Sequence, residues 1–180
     1  MRVLVLADLD DLRWKHGTGQ ADLIVSLGDI ADCLILDAAK AYGAPPVFAV
    51  RGNHDPNTPF PEGITDLHLT RVEFGGLTFG GFNGSWRYKP RGHFLYEQNE
   101  ATSLLKDFPR VDVFISHNSP RHIHDREDET HFGFETLAAY ITEKRPRLLL
   151  HGHQHLNQET TVGSTRVIGV YGHTILEIIV

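Results

Sequence analysis

The chain has 180 residues, 41% of them hydrophobic and 22% charged, which suits one domain over residues 1–180 with a sizeable core and excludes a disordered chain. No stretch approaches the roughly 20 continuous apolar residues of a membrane span. A net charge of −6 argues against a broad nucleic-acid-binding face, which needs clustered Lys and Arg. The single cysteine, Cys33, allows no internal disulfide, and its helical surroundings read as those of a buried structural thiol. Histidine is abundant at 12, and His117, His122, His124, His131, His151, His153 and His155 share one stretch. Imidazole is the commonest metal ligand, so the clustering is informative.

In chain order, Val3–Ala7 is a continuous apolar run and predicts a central strand ending in Asp8-Leu9-Asp10-Asp11. The run is too short for the roughly 7–15-residue core of a signal peptide, so the expectation is a cytoplasmic protein. Leu12–Gln20 reads as a loop. Leu23–Leu27 predicts a second strand, ending in Gly28-Asp29. Ile30–Tyr42 has helical spacing, with Leu34, Ile35, Ala38, Ala39 and Tyr42 on one side and Gly43 as its stop. Pro46–Val50 is a third strand and breaks into Arg51-Gly52-Asn53-His54-Asp55. This rhythm belongs to a parallel α/β sheet, in which sites collect at the carboxyl ends of strands.

Asn57–Gly63 is a Pro-containing loop, and Leu67–Phe74 with Leu77–Phe82 flank Gly75-Gly76, a hairpin signal. Ser85–Gly92 reads as a basic, aromatic loop. Glu97–Phe108 predicts a helix with Ala101, Leu104 and Leu105 inward. Val111–Ser116 is a strand ending in His117, Phe132–Lys144 a helix with Phe134, Leu137, Ala138 and Ile141 on its face, and Arg147–Leu150 a strand ending in His151-Gly152-His153-Gln154-His155. Glu159–Val180 predicts two or three antiparallel strands.

Five strand ends therefore carry Asp8/Asp10, Asp29, Asn53/His54, His117 and His153/His155. Any one of them alone reads as a structural residue. In series, so many carboxylates and imidazoles at one sheet edge are costly unless paired or bound to metal. Oxygen and nitrogen donors without thiols point away from a structural zinc site. The strand period turns His151 away from the others.

These motifs, Asp8-x-Asp10, Gly28-Asp29, Gly52-Asn53-His54-Asp55, His117 and Gly152-His153-Gln154-His155, resemble those of the calcineurin-like metallophosphoesterases, in particular their small bacterial single-domain branch. The resemblance implies a four-layer αββα sandwich of two mixed sheets. It implies two divalent metal ions, Mn foremost, with Fe, Mg, Ni, Co or Zn as alternatives. Asp29 would bridge the metals, Asp8 and His155 would complete the first site, and Asn53, His117 and His153 the second. A bridging hydroxide would attack phosphorus, His54 would protonate the leaving oxygen, and Asp55 would orient His54. The family has Asp-x-His in its first motif where this chain has Asp10. A carboxylate can still ligate a hard divalent metal.

The expected activity is hydrolysis of small phosphodiesters, nucleotide-like ones included, with Trp86, Tyr88 and Phe94 available to stack a base and Arg87, Lys89, Arg91 and Arg121 as candidate phosphoryl clamps. The alternatives are a phosphomonoesterase and, because of Asp10, a weakly catalytic metal- or phosphate-binding domain. The expected partner is a small phosphoester, with neither membrane nor nucleic acid. His122, His124 and Asp125 are read as loop residues, and His16, His68, His93, His131 and His173 as surface or packing residues.

Overall fold

Side chains that alternate between the two faces of each central strand, nearly all of them buried, build two sheets face to face. In the computed structural model, which describes residues 1–179, β1 (Arg2–Ala7), β2 (Leu23–Ser26), β3 (Val47–Ala49) and β4 (Thr65–Asp66) run parallel. β13 (Gly172–Glu177) lies antiparallel on the free edge of β1. The first three strands read as unbroken apolar runs because both faces are covered. Val3, Val5 and Ala7 enter the core between the sheets, while Leu4 and Leu6 face α1 (Asp32–Ala41) through its Leu34, Ile35 and Ala38.

The second sheet has the order β11 (Gln158–Val162), β12 (Thr165–Gly169), β10 (Leu148–His151), β9 (Val113–Ser116), β6 (Leu77–Phe82), β5 (Arg71–Phe74). Its inner face contributes Leu77, Phe79, Val113, Ile115, Leu148 and Leu150 to the shared core. Its outer face, with Phe82, Phe114, Leu149 and Val167, is covered by α2 (Gln98–Leu105) and α3 (Glu135–Lys144). The layers are therefore helix, sheet, sheet, helices: the αββα sandwich that the motifs implied. Among the described residues no helix is long and apolar enough to cross a membrane.

Local signals behave as physics requires. Gly75 and Gly76 both have positive φ, +55° and +79°, as a tight hairpin turn demands. Glu97 and Glu100 form a capping box at the start of α2.

Other details depart from the sequence reading. The last strand leaves β12 and pairs with β1, because the β1 edge offers unpaired backbone groups and Ile175 and Leu176 find apolar partners there. Residues 67–70 turn rather than extend the hairpin, which begins at Arg71. Within the expected loop 85–92, β7 (Ser85–Trp86) pairs with β8 (Leu95–Tyr96). Leu104 is 42% exposed, because the buried face of its helix is carried by Ala101 and Leu105, one turn apart. Cys33 is exposed on α1.

Phe79 is fully buried between the sheets, against Phe48 at a ring separation of 5.4 Å. Phe79→Ala should lower unfolding free energy by about 3–5 kcal/mol in urea titrations with the far-UV spectrum retained.

Candidate metal centre

The site forms where the carboxyl ends of β1, β2 and β3 meet those of β9 and β10, so it straddles both sheets. The imidazole of His117, fully buried after β9, donates from Nδ1 to the Leu27 carbonyl after β2 at 2.8 Å. That bond crosses between the sheets and leaves Nε2 facing inward, 3.0 Å from Asn53 Oδ1 and 3.3 Å from Asp29 Oδ2. The His153 imidazole donates from Nε2 to the Thr130 carbonyl at 2.9 Å, which leaves Nδ1 as its free lone pair. Outward hydrogen bonds of this kind fix tautomer and ring orientation in metal-binding histidines. Ligand atoms of Asp29, His117 and His153 all lie within 4.8 Å of one another.

Asp8 completes the arrangement. Its Oδ2 accepts the backbone N–H of His153 at 2.9 Å, and Oδ1 lies 3.5 Å from His155 Nε2. Oδ1 is buried with no hydrogen-bond partner. A buried carboxylate oxygen left alone costs several kcal/mol, and a cation is the natural remedy. The donors are carboxylate, amide oxygen and imidazole without thiolate, a set that fits hard or borderline divalent ions.

Backbone strain gathers here. Asp8, Asp29, His153 and His155 have φ of +53°, +54°, +64° and +52°, a conformation costing non-glycine residues about 1–2 kcal/mol each. The glycines beside them serve close approach. A Cβ on Gly52 would strike the Asp29 carboxylate, and one on Gly152 would lie 2.7 Å from Asp8 Oδ2.

Electrostatics separate the imidazoles. Burial opposes charge on His117, but the Asp29 carboxylate outweighs it and raises His117 to about 9. Burial likewise favours neutral Asp29, yet His117 and the His54 N–H hold its carboxyl well below the usual range. Burial, reinforced by the His117 charge, pushes His153 down to about 3, so it is neutral and able to ligate. His155 is raised by the Asp8 carboxylate beside it.

Among the described residues the Asp55 carboxylate makes no hydrogen bond to the His54 ring. It accepts backbone N–H groups of Gly52, Asp29 and Ile30 at 2.7, 3.0 and 3.1 Å, tying two ligand loops together. Burial raises its pKa even so. His54 itself is exposed and lines the cleft. Asp10 also lines the cleft, exposed and outside the three-residue cluster, whereas Asp11 is engaged by Lys15 and His16.

The three arginines expected at the phosphoryl group are not among the cleft-lining residues. Arg121 is buried, stacked 3.6 Å from the Phe132 centroid and ion-paired with Asp125 and Glu127. Arg87 pairs with Glu97 and Glu100, and Arg91 is solvent-exposed. Carboxylates nearer in sequence satisfy the first two. Of the aromatic residues, Trp86 packs on Phe132. The Tyr88 hydroxyl accepts from Asn53 Nδ2 at 3.1 Å, which turns Asn53 Oδ1 towards His117. His151 is fully buried and faces away, hydrogen-bonded to the Gly152 carbonyl and to His124.

The cleft has a volume of about 560 Å³. It is lined by Asp8, Asp10, Asp11, Asp29 and Asp55, by His54, His131, His153 and His155, and by Tyr171, which stacks on His155 at 4.9 Å. Sequence reasoning missed Thr130 and His131, which reach the cleft on the long connection between β9 and α3, and Tyr171, which reaches it on the two-residue link between β12 and β13. The one sequence signal was the spacing of Asp128 and His131.

A convergent set of carboxylates and tautomer-locked imidazoles at the joined ends of an αββα sandwich defines a metal-dependent hydrolytic site. A family model described as calcineurin-like phosphoesterase matches residues 1–157, and the chain belongs to that family of metal-dependent phosphoester hydrolases. No curated protein matches the sequence. Among solved structures, TT1561 of Thermus thermophilus superposes with a TM-score of 0.59 at 18% identity, over 95% of this chain and 89% of that one. Phosphopantetheinyl hydrolase (PptH) from Mycobacterium tuberculosis gives 0.56 at 14% identity, over 94% and 89%. Wild-type Vps29 complexed with zinc from Entamoeba histolytica gives 0.54 at 14% identity, over 99% and 86%. At these identities the likeness is one of fold.

Two outcomes test the site. His117 must lose its proton to ligate, so metal binding competes with a proton held up to about pH 9. Apparent Mn affinity, measured calorimetrically, should rise by up to about tenfold per pH unit between pH 7 and 9. The chelated protein should behave oppositely. The stabilising raised pKa of His117 acts fully below its ordinary 6.5 and is lost as pH rises through about 9. Separately, Gly52→Ala should displace Asp29 and weaken metal binding at least tenfold while the protein stays folded, as read by calorimetry and circular dichroism.

Proposed function

We propose that the protein is a phosphodiesterase acting on small diesters through a dinuclear centre, with Mn as the working metal. Asp8 and His155 would hold one ion, Asn53, His117 and His153 the other, and Asp29 would bridge them. When bound, the ions supply Lewis acidity towards phosphoryl oxygens and an activated water.

The observation that carries the diester preference is the charge of the cleft. Its lining includes five carboxylates, among them Asp10 and Asp11 outside the ligand set, and neither Lys nor Arg. A monoester dianion meets more repulsion there than a diester monoanion, and no guanidinium clamps its extra charge. The protein's own groups supply the remainder. His54, exposed at the cleft with its backbone N–H held by Asp29 at 2.8 Å, would give a proton to the departing alkoxide. Asp55 and Arg51 hold the loop that carries it. Arg51 forks onto Asp32 at 2.6 and 3.1 Å while stacking on Phe60. A cytoplasmic setting, where exposed Cys33 stays reduced, fits the reading.

The exposed position of Asp10 supports one competing reading, a metal- or phosphate-binding domain with weak turnover. Purified protein with added Mn should hydrolyse bis(p-nitrophenyl) phosphate at least tenfold faster than p-nitrophenyl phosphate. His54→Ala should reduce kcat by roughly 10²–10⁴-fold with metal content unchanged. Faster monoester turnover would reverse the preference. Turnover that emerges only in Asp10→His would favour the weak-domain reading.

A further inference from the structure

Each connection at the site end of β1, β2 and β3 delivers an apolar side chain directly after its polar ones. Leu9 follows Asp8, Ile30 and Ala31 follow Asp29, and Pro56 follows His54 and Asp55. All four line the metal cleft, as does Leu12. An isolated parallel bridge between Leu9 and Ile30 joins two of these connections, and both residues rest on the core around α1. The first sheet thus gives the cleft an apolar wall beside Asp8, Asp29 and His54.

Leu12 is the most exposed member of that wall, at 74%. It stands out from an anchored segment. Asp11 before it pairs with Lys15 and His16, its own carbonyl accepts from Cys33 Sγ at 3.7 Å, and Trp14 after it packs edge-on against Tyr42 and His173. Single exposed apolar residues are ordinary on protein surfaces. Of the five large ones exposed among the described residues, however, Leu12 and Tyr171 both line this cleft. Apolar surface with a few convergent polar groups is the usual lining of a small-molecule site.

The charges of the lining narrow the occupant. Asp10 disfavours an ester group that carries a second negative charge. Asp11 is already paired and offers little to a cationic one. Trp86, Tyr88 and Phe94, the residues able to stack a base, lie outside the lining. What the wall offers is contact with neutral, apolar carbon.

We propose that the cleft selects phosphodiesters in which one ester group is a neutral apolar chain, and that Leu12 is the specificity-determining contact for that chain, with Leu9, Ala31 and Pro56 as the surface beneath it. The proposal rests on the phosphodiesterase reading above and names the substrate class of that site.

Dimethyl and dibutyl phosphate, whose alkoxides are poor leaving groups, are the probes. Calorimetric titration into the Mn-saturated protein should show dibutyl phosphate binding at least about tenfold more tightly, since each fully buried methylene contributes up to about fourfold. Leu12→Ser should lower dibutyl affinity at least about fivefold and leave dimethyl affinity, Mn affinity and melting temperature unchanged. Leu12→Met should retain the preference. Equal binding of the two probes, or a preference that survives Leu12→Ser, would overturn the proposal. Turnover of methyl and butyl p-nitrophenyl phosphate with equal KM would overturn it while sparing the diesterase reading. A Leu12-dependent preference for dibutyl phosphate in a protein that hydrolyses neither ester would uphold the apolar wall and count against the diesterase reading instead.

Discussion

The Asp29 carboxylate is the group on which the two sheets converge. Its buried charge requires partners, and the partners come from different layers: the His54 backbone N–H from the connection after β3 and the His117 imidazole from the end of β9. Asp55 ties the same loops through the Asp29, Ile30 and Gly52 amides. The His117 bond to the Leu27 carbonyl then closes the gap between the sheets. Removing one buried partner leaves the other charge uncompensated, a costly change. The core between the sheets supplies the cohesion that makes this tolerable, through rows such as Val3, Val5 and Ala7 facing Ile115, Leu148 and Leu150.

Stability and function conflict at the strand ends. Four candidate ligands sit in left-handed backbone, and Asp8 Oδ1 is buried without a hydrogen bond. Each feature opposes folding, and each aims a donor at one small volume. Parallel strands allow this, because their carboxyl ends gather on one side and the connecting loops need satisfy only local geometry. Asp55, Tyr88 and Thr130 then fix the loops and donors by hydrogen bonds, so the candidate site is preorganised by its neighbours.

The cleft's charge is the second constraint. Five carboxylates surround a site that must accept an anion. The basic side chains nearest in sequence are already engaged, Arg121 by Asp125 and Glu127, and Arg87 by Glu97 and Glu100. In the proposed reading, attraction for substrate would therefore fall to the metal ions the site would hold.

Much of this protein could be read from local pattern. Continuous apolar runs that break into Gly and polar residues at Asp8, Asp29, Asn53, His117 and His153 marked both the sheets and the ligand candidates. The helix faces followed from 3.6-residue spacing, apart from Leu104 at a helix end. The edge to which β13 pairs, the engagement of Asp55 with the Asp29 and Ile30 amides and the arrival of His131 and Tyr171 beside Asp8 and Asp29 in the cleft were decided by contacts between residues far apart in the chain. Sequence determined which side chains stand at the strand ends, since periodicity and turn chemistry are local. Only tertiary structure decided which of them meet, because hydrogen-bond competition and charge pairing depend on distances that no spacing along the chain encodes.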